Sequence, residues 1–226
     1  MSIEILSKET LAAAQIQILS KEELAGVDII LVIDKSGSME AKSIRKAATP
    51  KKGLFGFGGG SSSKNRFEEV KEDALVVAQL AEQHDDDGIT IIAFSNDVIV
   101  YDGITSDKVD GVFKTFRPGG TTNLAAALQA AVKKAEASEK KAVIIVYTDG
   151  VPDSQQDAFR VINEAGKKFG RPKIGFTFIQ VGEEPNAAEF LRRINDDLEV
   201  DVCAAVSAVE AQTLSVEQLI WLAQNA

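Results

Sequence analysis

The run Asp34-Lys35-Ser36-Gly37-Ser38-Met39 puts one carboxylate and two hydroxyls on a short loop directly after the β-branched stretch Val27 to Ile33. Carboxylate and hydroxyl oxygens are hard donors, so the chemistry on offer is the holding of a hard cation. The same residue types also turn a chain, because Asp and Ser side chains hydrogen-bond nearby backbone and Gly accepts positive φ. Two further segments separate these readings. Pro118-Gly119-Gly120-Thr121-Thr122-Asn123-Leu124 delivers hydroxyls at a helix start, and Val143-Ile144-Ile145-Val146-Tyr147-Thr148-Asp149-Gly150 ends a buried strand on a carboxylate. If the strands carrying Asp34 and Asp149 are neighbours, both carboxylates emerge in one crevice at the carboxyl edge of the sheet, where open α/β sheets collect ligands. The donors are then Asp34, Ser36, Ser38, Asp149 and one or both of Thr121 and Thr122. An all-oxygen set favours Mg²⁺, with Mn²⁺ as the alternative, over zinc or copper. A dication left under-neutralised there draws an anionic oxygen from outside, such as the carboxylate of a partner's Glu or Asp.

Positioning such donors requires a sheet. Apolar runs at Val27 to Ile33, Ile89 to Phe94, Val98 to Tyr101, Ala142 to Tyr147, Ile174 to Val181 and Val202 to Val206 read as six strands. Helical patterns fall between or after them, at Phe67 to Gln83, Asp107 to Phe116, Leu124 to Ala137, Gln155 to Phe169, Ala187 to Ile194 and Ser215 to Gln224. In the first of these, Val70, Ala74, Val77 and Ala81 share one face at helical spacing. Alternation of this kind predicts an α/β fold, a doubly wound and mostly parallel six-stranded sheet with helices on both faces. Asn96-Asp97 is too short a link for a crossover helix, so the second and third strands should pair antiparallel at the sheet edge.

Composition narrows the function classes. The 226 residues carry a net charge of −9, which argues against nucleic-acid binding through the whole surface. The balance is uneven: Ala41 to Arg66 holds seven basic residues and no acid, leaving −16 elsewhere. Cys203 is the only cysteine and sits in a short apolar run, so it reads as a small buried hydrophobe, and no intrachain disulfide can form. The amino terminus lacks the pattern of a secretory signal, and no segment approaches the ~18 apolar residues of a membrane span. The expectation is a cytoplasmic protein. Residues 1–25 read as an extension of short helical turns, in which Ile5 to Ala12 is echoed by Ile18 to Ala25 and Ser20 with Glu23 has capping-box spacing.

Asp34-x-Ser36-x-Ser38, then Thr122, then Asp149 resembles the metal-ion-dependent adhesion site of von Willebrand factor type A domains, in a frame from Val27 to about Val206. The resemblance implies a Rossmann-like fold over residues 26–226 and a non-enzymatic module that binds a partner's acidic residue through a bound dication. It implies that Ser36, Ser38 and Thr122 contact the metal while Asp34 and Asp149 hold it mainly through waters; Thr122 is chosen over Thr121 because it precedes Asn. Asp85-Asp86-Asp87-Gly88 is similar to cytoplasmic bacterial members linked to tellurium resistance and stress.

One departure is the basic, glycine- and serine-rich insertion at 49–65, which separates the Asp34 loop from its helix. It reads either as a tolerated surface insertion or as a contact surface. In the second case Lys42, Arg45, Lys46, Lys51 and Lys52 attract an acidic partner or anionic lipid, with Leu54, Phe55 and Phe57 as apolar anchors. The competing function is a Mg²⁺-dependent phosphatase or phosphotransferase with Asp34 as phosphoryl acceptor. Such enzymes use a second Asp two residues later, where this chain has Ser36. His84 reads as a solvated helix end, Gly56 to Gly60 lacks the ending of a phosphate loop, and Trp221 reads as the core face of a terminal helix.

Overall fold

The computed structural model describes residues 20–43, 64–84, 86–211 and 213–225. Its six strands are β1 (Val27–Asp34), β2 (Ile89–Phe94), β3 (Val98–Ile104), β4 (Lys141–Thr148), β5 (Ile174–Gln180) and β6 (Cys203–Val206), in the order β3-β2-β1-β4-β5-β6. All pairings are parallel except β2 with β3. The turn between these two is Ser95 to Asp97, one residue longer than the sequence suggested, because Phe94 already pairs with Val98. β3 also runs on past Tyr101 to Ile104, with a register shift opposite Ile89 and Ile91.

The helices are α1 (Lys21–Ala25), α2 (Arg66–Ala81), α3 (Ser106–Thr115), α4 (Leu124–Ala137), α5 (Gln155–Phe169), α6 (Pro185–Asp197), α7 (Ala208–Ala211) and α8 (Val216–Asn225). Their starts follow from local chemistry. Ser20 with Glu23, and Asn65 with Glu68, form reciprocal capping boxes that satisfy otherwise unpaired first-turn amides. Asn123 and Ser154 accept from the amides of Ala126 and Asp157 to start α4 and α5.

Strand alternation divides the core into two layers. Leu31, Ile33, Ile91, Val143 and Ile145 face one side and pack with Val70, Ala74 and Val77 of α2, Val109 and Phe113 of α3, and Leu219, Ile220, Leu222 and Ala223 of α8. Ile30, Val32, Ile92, Ile144 and Val146 face the other, against Leu128 of α4, Ile162 of α5 and Leu191 of α6. Each fully buried aliphatic side chain contributes about 1.5–3 kcal/mol, so the strands of the site stand on a rigid base. Trp221 is partly buried at the edge of the first layer while its neighbours on α8 fill the interior, which moves it from the core face to its rim.

Candidate metal centre

Register brings the two strand-end carboxylates together. Ile33 pairs with Tyr147, so Asp34 and Thr148 end adjacent strands, and the Thr148 hydroxyl donates to Asp34 Oδ2 (2.8 Å). Neighbouring strands β1 and β4 leave the sheet in opposite senses here, β1 continuing to β2 and β4 to β5, which makes this the switch point. The second oxygen of Asp34 accepts from the Ser36 amide at 2.7 Å, folding the loop back over the strand end.

The Ser36 to Glu40 segment is then a tight 3-10 turn over Gly37–Glu40, pinned by the fully buried Met39. Ser36 precedes this turn without spending its hydroxyl on a cap. It lies 3.0 Å from the hydroxyl of Ser38, which in turn donates to Asp149 Oδ1 at 2.7 Å. Asp34, Ser36 and Asp149 are buried, whereas Ser38 is exposed at the mouth. Thr122 is buried beside the residue that follows Asp149; a Cβ at Gly150 would stand 3.6 Å from its Oγ1. Thr121 is exposed, and its hydroxyl is committed to Asp153 Oδ2 (2.7 Å). The oxygens of Asp34, Ser36, Ser38 and Asp149 thus form one connected cluster, with the Thr122 hydroxyl close beside Gly150.

Electrostatics separate the two carboxylates. Burial pushes the Asp34 carboxyl up to about 6; hydrogen bonds from Ser36 and Thr148 work against this, and the charge of Asp149 adds to it. Asp149 has a counter-ion instead: Arg66 Nη1 donates to its Oδ2 at 2.8 Å, while Arg66 Nη2 reaches Glu184 Oε1, also at 2.8 Å. Burial opposes the charge on Arg66, and the bonds to Glu184 and Asp149 outweigh it, so its affinity for its proton rises. The guanidinium lies over Gly182, which has φ +79° and where a Cβ would stand 2.5 Å from Arg66 Cζ. Only glycine fits that place in that conformation.

In the sequence Arg66 figures only as the last of the seven basic residues from Ala41 onward. A signal was present: it is the first residue of α2, where the positive end of the helix macrodipole disfavours a cation that has no partner elsewhere.

Further unforeseen residues hold the loops together. Lys35 is buried, and its Nζ donates to Ser95 Oγ (2.7 Å) and Asp97 Oδ1 (2.6 Å). Its hydrogen bond holds the Asp97 carboxyl below the usual range. Asn96 Oδ1 accepts from the Thr121 amide at 2.6 Å, and the lack of a side chain at Gly120, φ +87°, lets Asn96 approach. Gly119 N–H donates to Lys35 O (2.7 Å), and Asp153 Oδ1 accepts from Thr122 N–H (3.1 Å). The β2–β3 turn, read only as a link, therefore fixes both the Asp34 loop and the threonine loop.

Of the sequence-derived contact residues, Lys42 is exposed and pairs through a single β-bridge with Asn65; Arg45, Lys46, Lys51, Lys52, Phe55 and Phe57 lie outside the described residues. Ser43 N–H donates to Lys64 O at 2.8 Å, so the insertion's neck is at residues 43 and 64, and Asn65 is the N-cap of α2. Among the described residues, no three His, Cys, Asp or Glu side chains gather as a metal cluster. The donor set of this crevice, two carboxylates and three hydroxyls, is of another kind and fits a hard cation. Cys203 is half-buried in β6, and burial raises its thiol further from ionisation. No helix among the described residues is long and apolar enough to cross a membrane.

A family model of the von Willebrand factor type A domain matches residues 29–151, more than half of the chain. A comparison with curated proteins gave no significant match. Similar solved structures include the manganese-loaded TRAP protein of Plasmodium vivax (TM-score 0.56, 20% identity, 87% of this chain and 74% of that one). A von Willebrand factor type A protein from Catenulispora acidiphila is also similar (0.57, 18%, 87% and 42%), as is a mutant of the PilB minor pilin from Streptococcus sanguinis (0.56, 14%, 88% and 63%). At these identities the likeness speaks for the fold alone, and the chain spans less than two thirds of the last two proteins.

Proposed function

Because the chain belongs to the von Willebrand factor type A domain family, whose domains commonly mediate protein–protein interaction and are generally not enzymes, we propose that it is a non-enzymatic binding module that grips a partner's Glu or Asp side chain through a divalent cation. The observation that carries this reading is the connected cluster of Asp34, Ser36, Ser38 and Asp149 at the switch point, with Thr122 beside Gly150. These five residues would form a metal-ion-dependent adhesion site for Mg²⁺ or Mn²⁺; the manganese in the TRAP protein supports a divalent ion. When bound, the cation supplies a Lewis-acidic position that an incoming carboxylate oxygen completes. Buried Asp34 and Asp149 bring negative charge from beneath, exposed Ser38 presents its hydroxyl at the mouth, and Lys35, Asn96 and Asp153 keep the three loops from drifting.

Both oxygens of Asp34 are engaged and the residue is fully buried, which supports binding over phosphoryl transfer, since a nucleophilic carboxylate must be open to in-line attack. Residues 26–226 form the module in this proposal and 1–25 an extension. It works in the cytoplasm, and the Asp85 to Gly88 run supports the kinship with tellurium-resistance and stress proteins. The basic residues from Lys42 to Lys52, with Phe55 and Phe57, add a secondary contact to the same partner.

The test is Mn²⁺ titration into the purified full chain, followed by capture of partners in Mg²⁺ or in chelator. Binding abolished by Asp34→Ala, together with chelator-sensitive capture, is expected. Equal capture under all conditions overturns the metal-dependent reading.

A further inference from the structure

Two carboxylates are buried at the strand ends, yet a single guanidinium is buried with them. Arg66 is 6% exposed, and its two terminal nitrogens bind Asp149 and Glu184. Its Nε–H is the one buried side-chain polar atom without a hydrogen-bond partner among the described residues. An unpaired buried N–H is costly, so packing into a fully satisfied pocket does not explain this arginine; the two carboxylates hold it in place. Gly182 clears the space, and the Arg66 amide, bonded to Ala41 O at 2.9 Å, fixes where the side chain starts.

Asp149 is divided between two tasks. Its Oδ1 faces the serine hydroxyls of the cluster, and its Oδ2 faces Arg66. The buried ionic groups Asp34, Asp149 and Arg66 together carry −1 when ionised, whereas the two carboxylates alone would carry −2. Buried Lys35 and Arg66 are each also paired with a carboxylate nearer solvent, Asp97 and Glu184, which offset part of their charge. A dication entering the crevice therefore meets less opposing charge at Asp149 than the donor set alone would offer, and it feels repulsion from a guanidinium one carboxylate away. Burial of Asp149 and Arg66 leaves that repulsion less screened than it would be in water. A carboxylate arriving from outside restores neutrality.

We propose that Arg66 is a built-in counter-cation of this crevice, set against a dication at Asp149, so that the dication is held tightly only together with an external carboxylate. This rests on the metal-binding reading above. Glu184 is the moderating partner: its half-exposed carboxylate draws part of the guanidinium's charge away from Asp149. The arrangement makes the module a coincidence binder, weak for the cation alone and weak for the acid alone.

The experiment is calorimetric titration of Mn²⁺ into the full chain with and without acetate as the carboxylate probe, for the native protein, Arg66→Gln and Glu184→Gln, with thermal melts to verify folding. In the native protein acetate tightens Mn²⁺ binding severalfold. Arg66→Gln binds Mn²⁺ at least about tenfold more tightly without acetate, and the acetate effect shrinks. Glu184→Gln binds it severalfold more weakly, because Arg66 then bears on Asp149 alone. A merely structural arginine would lose affinity on removal, so equal or weaker binding by folded Arg66→Gln overturns the proposal. If that variant does not fold, Glu184→Gln decides, and unchanged or tighter binding overturns it. Mn²⁺ binding by Arg66→Gln but not by the native protein supports the counter-cation and removes the metal-binding reading for the native chain. Binding by neither overturns both, and equal binding by both overturns the counter-cation alone.

Discussion

The two ends of one sheet use the same residue types to opposite effect. At the amino end, Asp28 and Asp87 reach Lys140, and Asp102 reaches Lys134 and the Thr90 hydroxyl, with every one of these ionic side chains at least partly exposed. At the carboxyl end, Asp34 and Asp149 are wholly buried, and the guanidinium buried with them is shared between Asp149 and the half-exposed Glu184. Water screens the first set, so its pairs are each worth about 0–1 kcal/mol. The second set is shut off from solvent and only partly matched by Arg66, and its unspent negative charge is what a cation would use. Burial and charge mismatch, rather than the number of carboxylates, set the proposed binding end apart.

Removing a carboxylate sharpens this contrast most. Asp149→Ala leaves the buried Arg66 with Glu184 alone and is expected to cost about 3–5 kcal/mol in denaturant unfolding. A loss below 1 kcal/mol would place the carboxyl end on a par with the other.

A pH series probes the next largest effect. The Asp34 carboxyl stands at about 6 in the fold against an ordinary 3.8, so between these values the folded chain keeps a proton that the unfolded chain has released. Stability in chelator is therefore full below about pH 4, falls as pH rises to about 6, and is level above, with a drop on the order of 2–3 kcal/mol. Asp34→Asn removes the slope; a slope unchanged in that variant would assign it to other groups.

Asn96→Ala takes the acceptor from the Thr121 amide and should lower stability by about 1 kcal/mol. It should also weaken Mn²⁺ binding severalfold by loosening the threonine loop, which calorimetry would read. At the amino end, Lys134→Ala should change unfolding free energy by less than about 1 kcal/mol and leave Mn²⁺ binding as it was. An altered metal affinity there would break the separation of the two ends.

Much of this was legible in the residues. β-branched runs placed β1, β2 and β4 to within a residue at each end, because strands buried on both faces are continuously apolar. The short link after Phe94 revealed the antiparallel edge. β3 was cut short at Tyr101 because Asp102-Gly103 interrupts its apolar run, while the backbone continues through Gly103 at positive φ. The meeting of Asp34, Ser36, Ser38 and Asp149 followed from motif and strand order together. Arg66 did not, since its partner Asp149 lies 83 residues away, and its place at the start of α2 signals only the need for a partner, not which one. Asn96 and Asp97 have the composition of any turn, and their second role in bracing two loops depends on which strands become neighbours, a long-range fact.

The antiparallel bridge between Lys42 and Asn65, with the Ser43–Lys64 hydrogen bond, brings residues 43 and 64 side by side next to Arg66 and the crevice. Loop-closure entropy grows only slowly with length, so this neck is a natural port for protein engineering. A peptide tag or a small folded reporter exchanged for residues 44–63 would be held within a few residues of Arg66. There it could convert occupancy of the crevice into an optical signal without any change to the sheet.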